Sequence, residues 1–186
     1  MLAFALRADG WYLRSDIIWH KANNLPDGAR DRPTACHEHV FLLSKSKTYY
    51  YDSESIAEDC ANSSEFSDKK NARDVWVIAP KPCTLAHFAV MPLDLAERCV
   101  KAGSSQYGCC SVCGAPWIRQ MKGWAPSCKC RDDPTPCKVL DPFAGAGTTG
   151  LAALRHGRNA VLIELNSEYY KIMEQRLAGE AIGTFD

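Results

Sequence analysis

The sequence predicts an α/β fold built on an open parallel sheet, and three observations carry that prediction. Residues 138–140 read as a short strand running into Asp141 and a glycine-rich turn. Residues 148–156 follow with helix-forming composition and stop at Gly157. Residues 160–165 are then a near-continuous apolar run of the kind buried on both faces of a parallel sheet, with Asn166 placed to cap a helix whose buried stripe is Tyr169, Ile172, Met173 and Leu177. A chain of 186 residues forms one core burying roughly 70% of its unfolded surface, so a single domain over residues 1–186 is expected. Two appendages interrupt it: a polar stretch at 52–73 and a cysteine-rich insert at 109–137.

Taken in order, residues 2–7 favour helix up to Gly10, and a chain opening on the last turns of a helix reads as incomplete at its N-terminus. Aromatic and β-branched residues predict a strand over 11–19, and two more over 39–43 and 48–51 that could pair as a hairpin across Ser44-Lys45-Ser46-Lys47. The polar stretch 52–73 has few apolar anchors and reads as a mobile, variable surface loop. A short strand follows over 74–78. Pro92 suits the first position of a helix ending at Gly103, with Leu95, Ala96, Cys99 and Val100 on its buried face. No internal repeat is visible.

Composition excludes more than it assigns. Lysine plus arginine and aspartate plus glutamate balance at 22 each, so any affinity for nucleic acid must come from a local basic face. The N-terminal apolar run is too short for a membrane span and lacks a secretory cleavage pattern, which makes a cytoplasmic protein the simplest expectation. In that setting ten cysteines favour thiols and metal ligands over disulfides.

The turn Gly145-Ala146-Gly147-Thr148-Thr149-Gly150 lies where open α/β sheets bind ligands, beyond the carboxyl end of a strand and at a helix N-terminus. Glu164 follows about 20 residues on, as the acid of a nucleotide site does. Such a glycine pattern alone also fits a dinucleotide enzyme, but no second mononucleotide half or hydride-handling site is visible.

The full string Leu140-Asp141-Pro142-Phe143-Ala144-Gly145-Ala146-Gly147-Thr148-Thr149-Gly150 closely resembles the cofactor motif of amino-group DNA methyltransferases, which modify N6 of adenine or N4 of cytosine. The resemblance extends through Trp19-His20-Lys21-Ala22-Asn23, Arg32-Pro33-Thr34, residues 37–45, Tyr50-Tyr51-Asp52, Asp74-Val75-Trp76-Val77 and His87-Phe88-Ala89-Val90-Met91-Pro92. These motifs stand in the permuted order that places the cofactor half last, and they imply a partial Rossmann-like methyltransferase sheet, S-adenosylmethionine as cofactor, DNA as partner and a bacterial or phage source. By that resemblance Asp141, Phe143, Ala144, Gly145, Gly147, Thr148 and Thr149 line the cofactor, Glu164 accepts the ribose hydroxyls, and His87 and Phe88 pack against the methionine moiety. The role of Glu164 also follows from chemistry, since a carboxylate at a strand end can accept two charge-assisted hydrogen bonds from a vicinal diol.

Methylating an exocyclic amine requires a flipped, stacked base and acceptors for the amine hydrogens. Family members supply these with an Asp/Asn/Ser-Pro-Pro-Tyr/Phe loop. That string is absent here: Asp133-Pro134-Thr135-Pro136 breaks it, and Asp141-Pro142-Phe143 belongs to the cofactor motif. No catalytic residue is therefore assigned in this chain. The expectation is a fragment, a subunit completed by a second polypeptide carrying the loop, or an inactive remnant that binds cofactor or DNA. On the base side the resemblance leaves Trp19, Lys21, Asn23, His37 and Glu38, where aromatic and amide groups suit stacking and edge readout, although taken singly Trp19 reads as core and Lys21 as solvated.

Within the insert, Cys110 and Cys113, followed by Gly114, form one ligand pair, and Cys128 with Cys130 forms a tighter second one about 15 residues on. Four thiolates from two short knuckles match a closed structural zinc site, with Cys109 or Cys137 as substitutes. A catalytic metal is not expected, because methyl transfer from a sulfonium needs no Lewis acid.

Overall fold

The computed structural model describes residues 2–23, 28–64, 67–80, 90–130 and 133–181, with backbone alone at 60–64, 67–68 and 181. Where length alone suggests one core, the chain divides into two compact units, Met1–Tyr49 with Ala57–Pro80, and Tyr50–Ile56 with Lys81–Asp186.

The first unit opens with α1 (Leu2–Ala8), which ends at Gly10 in a left-handed conformation (φ 93°). β1 (Tyr12–His20) and β2 (His37–Ser44) pair antiparallel, from Tyr12 opposite Ser44 to His20 opposite His37. β3 (Glu58–Ser64) and β4 (Ser67–Lys70) form a separate antiparallel pair. β5 (Val75–Val77) then adds parallel to β1, giving the order β2-β1-β5. Ile17, Trp19 and Trp76 are buried beneath this sheet's strands.

Two expectations change here. The partner of β2 is β1, not residues 48–51, and the connection on which that hairpin would turn is held by Arg14 of β1, whose Nη2 donates to the Ser46 and Lys47 carbonyls, both at 2.7 Å. Its guanidinium also sits 4.8 Å and 4.7 Å from the Tyr12 and Tyr49 ring centroids. The stretch 52–73, expected to be a structureless loop, carries the β3–β4 pair. Its register sets Glu58 opposite Lys70 and Asp59 opposite Lys69, so opposite charges take the place of apolar alternation.

In the second unit a 3₁₀ turn (Glu54–Ile56) is anchored by Asp52, which is buried and accepts from the Ser55 backbone N–H at 3.2 Å and from Arg119 Nη2 at 3.1 Å. Asp52→Ala leaves the partly buried Arg119 without this acceptor. It is expected to lower stability by about 2 kcal/mol, read as a lower denaturant midpoint.

α2 (Leu93–Gly103) begins after Pro92 and buries Leu95, Ala96, Val100 and Ala102. Cys99 is exposed, contrary to its expected place in the stripe; the core contact runs through Ala96, Val100 and Ala152, with Leu93 and Val139 against it.

The insert supplies β6 (Cys109–Cys110), β7 (Trp117–Gln120), β8 (Gly123–Pro126) and β9 (Pro134–Thr135), paired β6 with β9 and β7 with β8. Tyr107 packs between Trp117 and Trp124, with ring centroids 4.9 Å and 6.0 Å away.

β10 (Lys138–Asp141), α3 (Thr148–Arg155), β11 (Asn159–Leu162) and α4 (Ser167–Ala181) complete the unit. β10 and β11 are parallel, Lys138 opposite Asn159 and Asp141 opposite Leu162. Asn166 caps α4, its Oδ1 accepting the Glu168 N–H at 2.9 Å. The apolar run 160–165 is not buried on both faces. Val139 faces the α2–α3 core, whereas Leu140, Val161 and Ile163 are about half exposed or more. Among the described residues no helix is long and apolar enough to cross a membrane.

Candidate functional site

The parallel pair aims its carboxyl ends at the loop between β10 and α3. Asp141 closes β10 and turns the chain at once, its Oδ1 accepting the Phe143 N–H at 2.9 Å. The Ala144 N–H returns to the Ile163 carbonyl at 3.0 Å, and the Gly147 N–H to the Ala144 carbonyl at 2.8 Å. A tight loop is thus pinned across the ends of both strands.

The three glycines of the loop do different things. Gly147 has φ +77°, and a Cβ there would lie 2.6 Å from Met173 Cγ. A Cβ on Gly150 would lie 2.5 Å from Leu162 Cδ1, so this glycine lets α3 approach β11. Gly145 has φ +53° and open space where its Cβ would stand. Gly145 also lines a cavity of about 360 Å³, together with Val90, Met91, Asp141, Phe143, Ala144, Ala146, Thr148 and Thr149. Its size falls in the range of small-ligand sites, and α3 starts at its rim, where unpaired helical N–H groups favour electronegative ligand atoms. Phe143 is almost fully exposed, while Thr148 is buried.

Glu164 lies just past β11. Its Oε1 accepts the Asn166 N–H and its Oε2 the Gly145 N–H, both at 2.7 Å. These N–H groups, Asn166 first, hold its carboxyl below the usual carboxylate range. The depressed value means that the clamp on Gly145 is fully present at neutral pH and is lost only as pH falls through that lowered pKa. The Leu165 N–H acts on the same carboxylate, and with about four acceptor sites in all some capacity is left for a hydroxyl donor.

The sequence brought Asp141, Phe143, Ala144, Gly145, Thr148 and Thr149 to one cavity, with Gly147 behind it. His87 and Phe88 lie outside the described residues. Val90 and Met91, from the same motif as those two, do line the cavity and were not singled out; their place beside Pro92 at the start of α2 was the available signal.

The residues assigned to the base separate on inspection. Trp19 is buried, and its indole N–H donates to the Ile78 carbonyl at 2.9 Å. Its ring is a packing element of the first unit, as the residue taken singly suggests, and not a face open to a stacked base. Lys21 pairs with Glu38 and lies 4.9 Å over the Trp19 ring. Asn23 and His37 are exposed.

In the insert, one ligand atom from each of Cys110, Cys113, Cys128 and Cys130 lies within 4.8 Å of the others. The first pair is a formed knuckle: the Gly114 N–H donates to the Cys110 carbonyl at 2.9 Å, and Gly114 takes φ +71° to allow it. Backbone N–H groups of Cys113 and Val112 draw the Cys110 thiol down to about 7. Cys137 stands apart, buried with its Sγ 3.5 Å from the Ser105 carbonyl.

Comparison with known proteins gives the following. Residues 1–175 match the model of a family described as DNA methylase. The chain is 46% identical over 176 residues to the type II methyltransferase M.SmaI of Serratia marcescens, covering 95% of this chain and 50% of that protein. It is 42% identical over 179 residues to M.Cfr9I of Citrobacter freundii, covering 96% and 49%. The chain thus spans about half the length of the curated relatives it matches. Among solved structures, the PvuII DNA methyltransferase (cytosine-N4-specific) aligns with a TM-score of 0.64 at 18% identity over 94% of this chain and 54% of that one. The M1.HpyAVI–SAM complex aligns with a TM-score of 0.59 at 22% identity over 95% and 67%. At these identities the structural likeness is one of fold.

Proposed function

Because the chain belongs to the DNA methylase family, we propose that its second unit binds S-adenosylmethionine at the Asp141-to-Thr149 loop, for methyl transfer to the exocyclic amine of adenine or cytosine in DNA. The observation that carries this reading is Gly145. It is the loop glycine that lines the cavity and has open space where a side chain would stand, and its N–H is held by the acid expected at the cofactor's sugar.

Bound S-adenosylmethionine would supply an electrophilic methyl on a sulfonium, displaced directly by the amine nitrogen. The chain's residues would orient it. Asp141, Phe143, Ala144, Gly145 and Thr148 would surround the methionine end, and the remaining acceptor capacity of Glu164 would face the ribose hydroxyls. Asp141 is the only ionisable group among the cavity's lining residues. The base pocket and the acceptor for the amine proton are assigned to the family's Pro-Pro-Tyr/Phe loop, a string the sequence lacks, and a second polypeptide segment carrying it is the partner this reading requires. Exposed Asn23 and His37 are the candidates for contact with DNA, with Lys21 and Glu38 spending their charges on each other. We assign the four-cysteine cluster to structural zinc: an all-thiol donor set leaves no position for a substrate.

The absent loop string favours a second reading, a catalytically inactive remnant that binds cofactor or DNA. Tritiated S-adenosylmethionine and DNA separate the two. Label should enter DNA when the upstream half of an M.SmaI-like relative is supplied in trans. Cofactor binding without labelling in that mixture supports the remnant, and failure to bind S-adenosylhomocysteine overturns the transferase reading and leaves only a remnant that binds DNA.

A further inference from the structure

The cofactor loop is gripped from behind as well as from the strand side, and we propose that Arg176 of α4 is a positioning residue that sets the loop's shape for the ligand. The proposal rests on the cofactor site argued above and adds a residue that would not touch the cofactor itself.

Met173 and Arg176 stand three residues apart on α4, on one face of that helix. Met173 is buried and fills the space beneath Gly147. Arg176 Nη1 donates to the Ala146 carbonyl and, at 3.2 Å, to Thr148 Oγ1. These two acceptors flank Gly147. On the opposite side Glu164 Oε2 holds the Gly145 N–H at 2.7 Å. A carboxylate and a guanidinium therefore fix the backbone on either side of the Gly145–Ala146 peptide, which borders the cavity.

This double grip has a physical purpose. Gly145 and Gly147 both adopt positive φ, and glycine reaches many other conformations with equal ease. A loop free to sample them would hold the binding-competent shape for only a fraction of the time. Apparent affinity then falls by that same fraction. Both bonds leave the single nitrogen Nη1, whose two hydrogens lie in the fixed guanidinium plane, so their directions are set together in a way a rotating lysine ammonium does not match.

The test compares the native chain with Arg176→Met and Arg176→Lys, using calorimetry with S-adenosylhomocysteine and amide hydrogen exchange over residues 144–148. Arg176→Met is expected to weaken binding about tenfold, the factor for a competent population near one tenth. Exchange at the loop should be faster in the free variant and return to the native rate at saturating ligand. Arg176→Lys should recover part of the affinity and, if the methionine variant fails to fold, serves in its place. Native-like affinity and loop exchange in both variants would overturn the proposal while leaving the cofactor site intact. If the native chain itself ignores S-adenosylhomocysteine, the cofactor reading falls and this inference with it.

Discussion

Replacing Gly145 by aspartate is expected to abolish S-adenosylhomocysteine binding, with Kd raised at least about a hundredfold, while the melting temperature falls by only a few degrees. The two halves of this expectation have separate causes. A left-handed φ of +53° costs an L-residue roughly 1–2 kcal/mol, less for aspartate, and 1 kcal/mol shifts the melting point of a chain this size by about 2–4 °C. Nothing lies within 4 Å of the added Cβ, so no packing is lost. Binding suffers because the new side chain would stand in the 360 Å³ cavity and bring a second carboxylate beside Glu164, whose Oε2 already holds the same residue's N–H. Gly147→Ala makes the contrasting control. Its Cβ would meet Met173 Cγ at 2.6 Å, so it should melt early whether or not ligand is present. Retained affinity in Gly145→Asp, measured by calorimetry, would place the cofactor elsewhere.

That contrast also shows how far the residues could be read without coordinates. The order of the C-terminal elements was legible because βαβα patterning is local: a strand, Gly145 to Gly150, a helix ended by Gly157 and a cap at Asn166 all declare themselves within a few residues. The division of labour among the glycines was not legible, since it depends on Met173 and Leu162 arriving from elements further along the chain. Likewise the expected pairing of 39–43 with 48–51 gives way to β1, a strand from earlier in the chain whose Arg14 holds the Ser46 and Lys47 carbonyls 32 and 33 residues away. The β3–β4 pair hid behind a composition that looks like loop because its register is set by Glu58–Lys70 and Asp59–Lys69, a charge match without apolar alternation. Burial was over-read at Cys99 and again along 160–165. An apolar run such as 160–165 reports what a strand prefers, and Val161 and Ile163 are exposed because only one face of the β10–β11 pair carries the α2–α3 core. At Trp19 the resemblance and the residue's own character pointed different ways, and burial with a committed indole N–H assigns it to packing, as the residue alone suggested.

Removing a single thiol from the insert should have the other large effect. Purified native chain is expected to carry one zinc per molecule by metal analysis, and Cys113→Ser to carry much less. The variant should lose a cooperative part of its thermal transition, with the melting temperature down by about 10 °C or more. The size follows from how little else holds the insert. Its strands are two to four residues long, short of what an isolated hairpin needs, and its packing among the described residues centres on Tyr107, Trp117 and Trp124. Small modules of this kind depend on a staple, and zinc bound by such ligands contributes on the order of 10–16 kcal/mol of coupled binding and folding in peptide systems. Serine keeps the shape of Cys113 but offers no thiolate, so the knuckle at Gly114 can form while the fourth donor is missing. The Trp117 and Trp124 fluorescence reports the same event independently, since both rings should become wetter when the cluster opens. Chelation of the native chain should reproduce the change, and added zinc should reverse it. A native chain that comes metal-free from zinc-supplemented expression and melts identically with and without chelator would show four thiols meeting within 4.8 Å for packing alone.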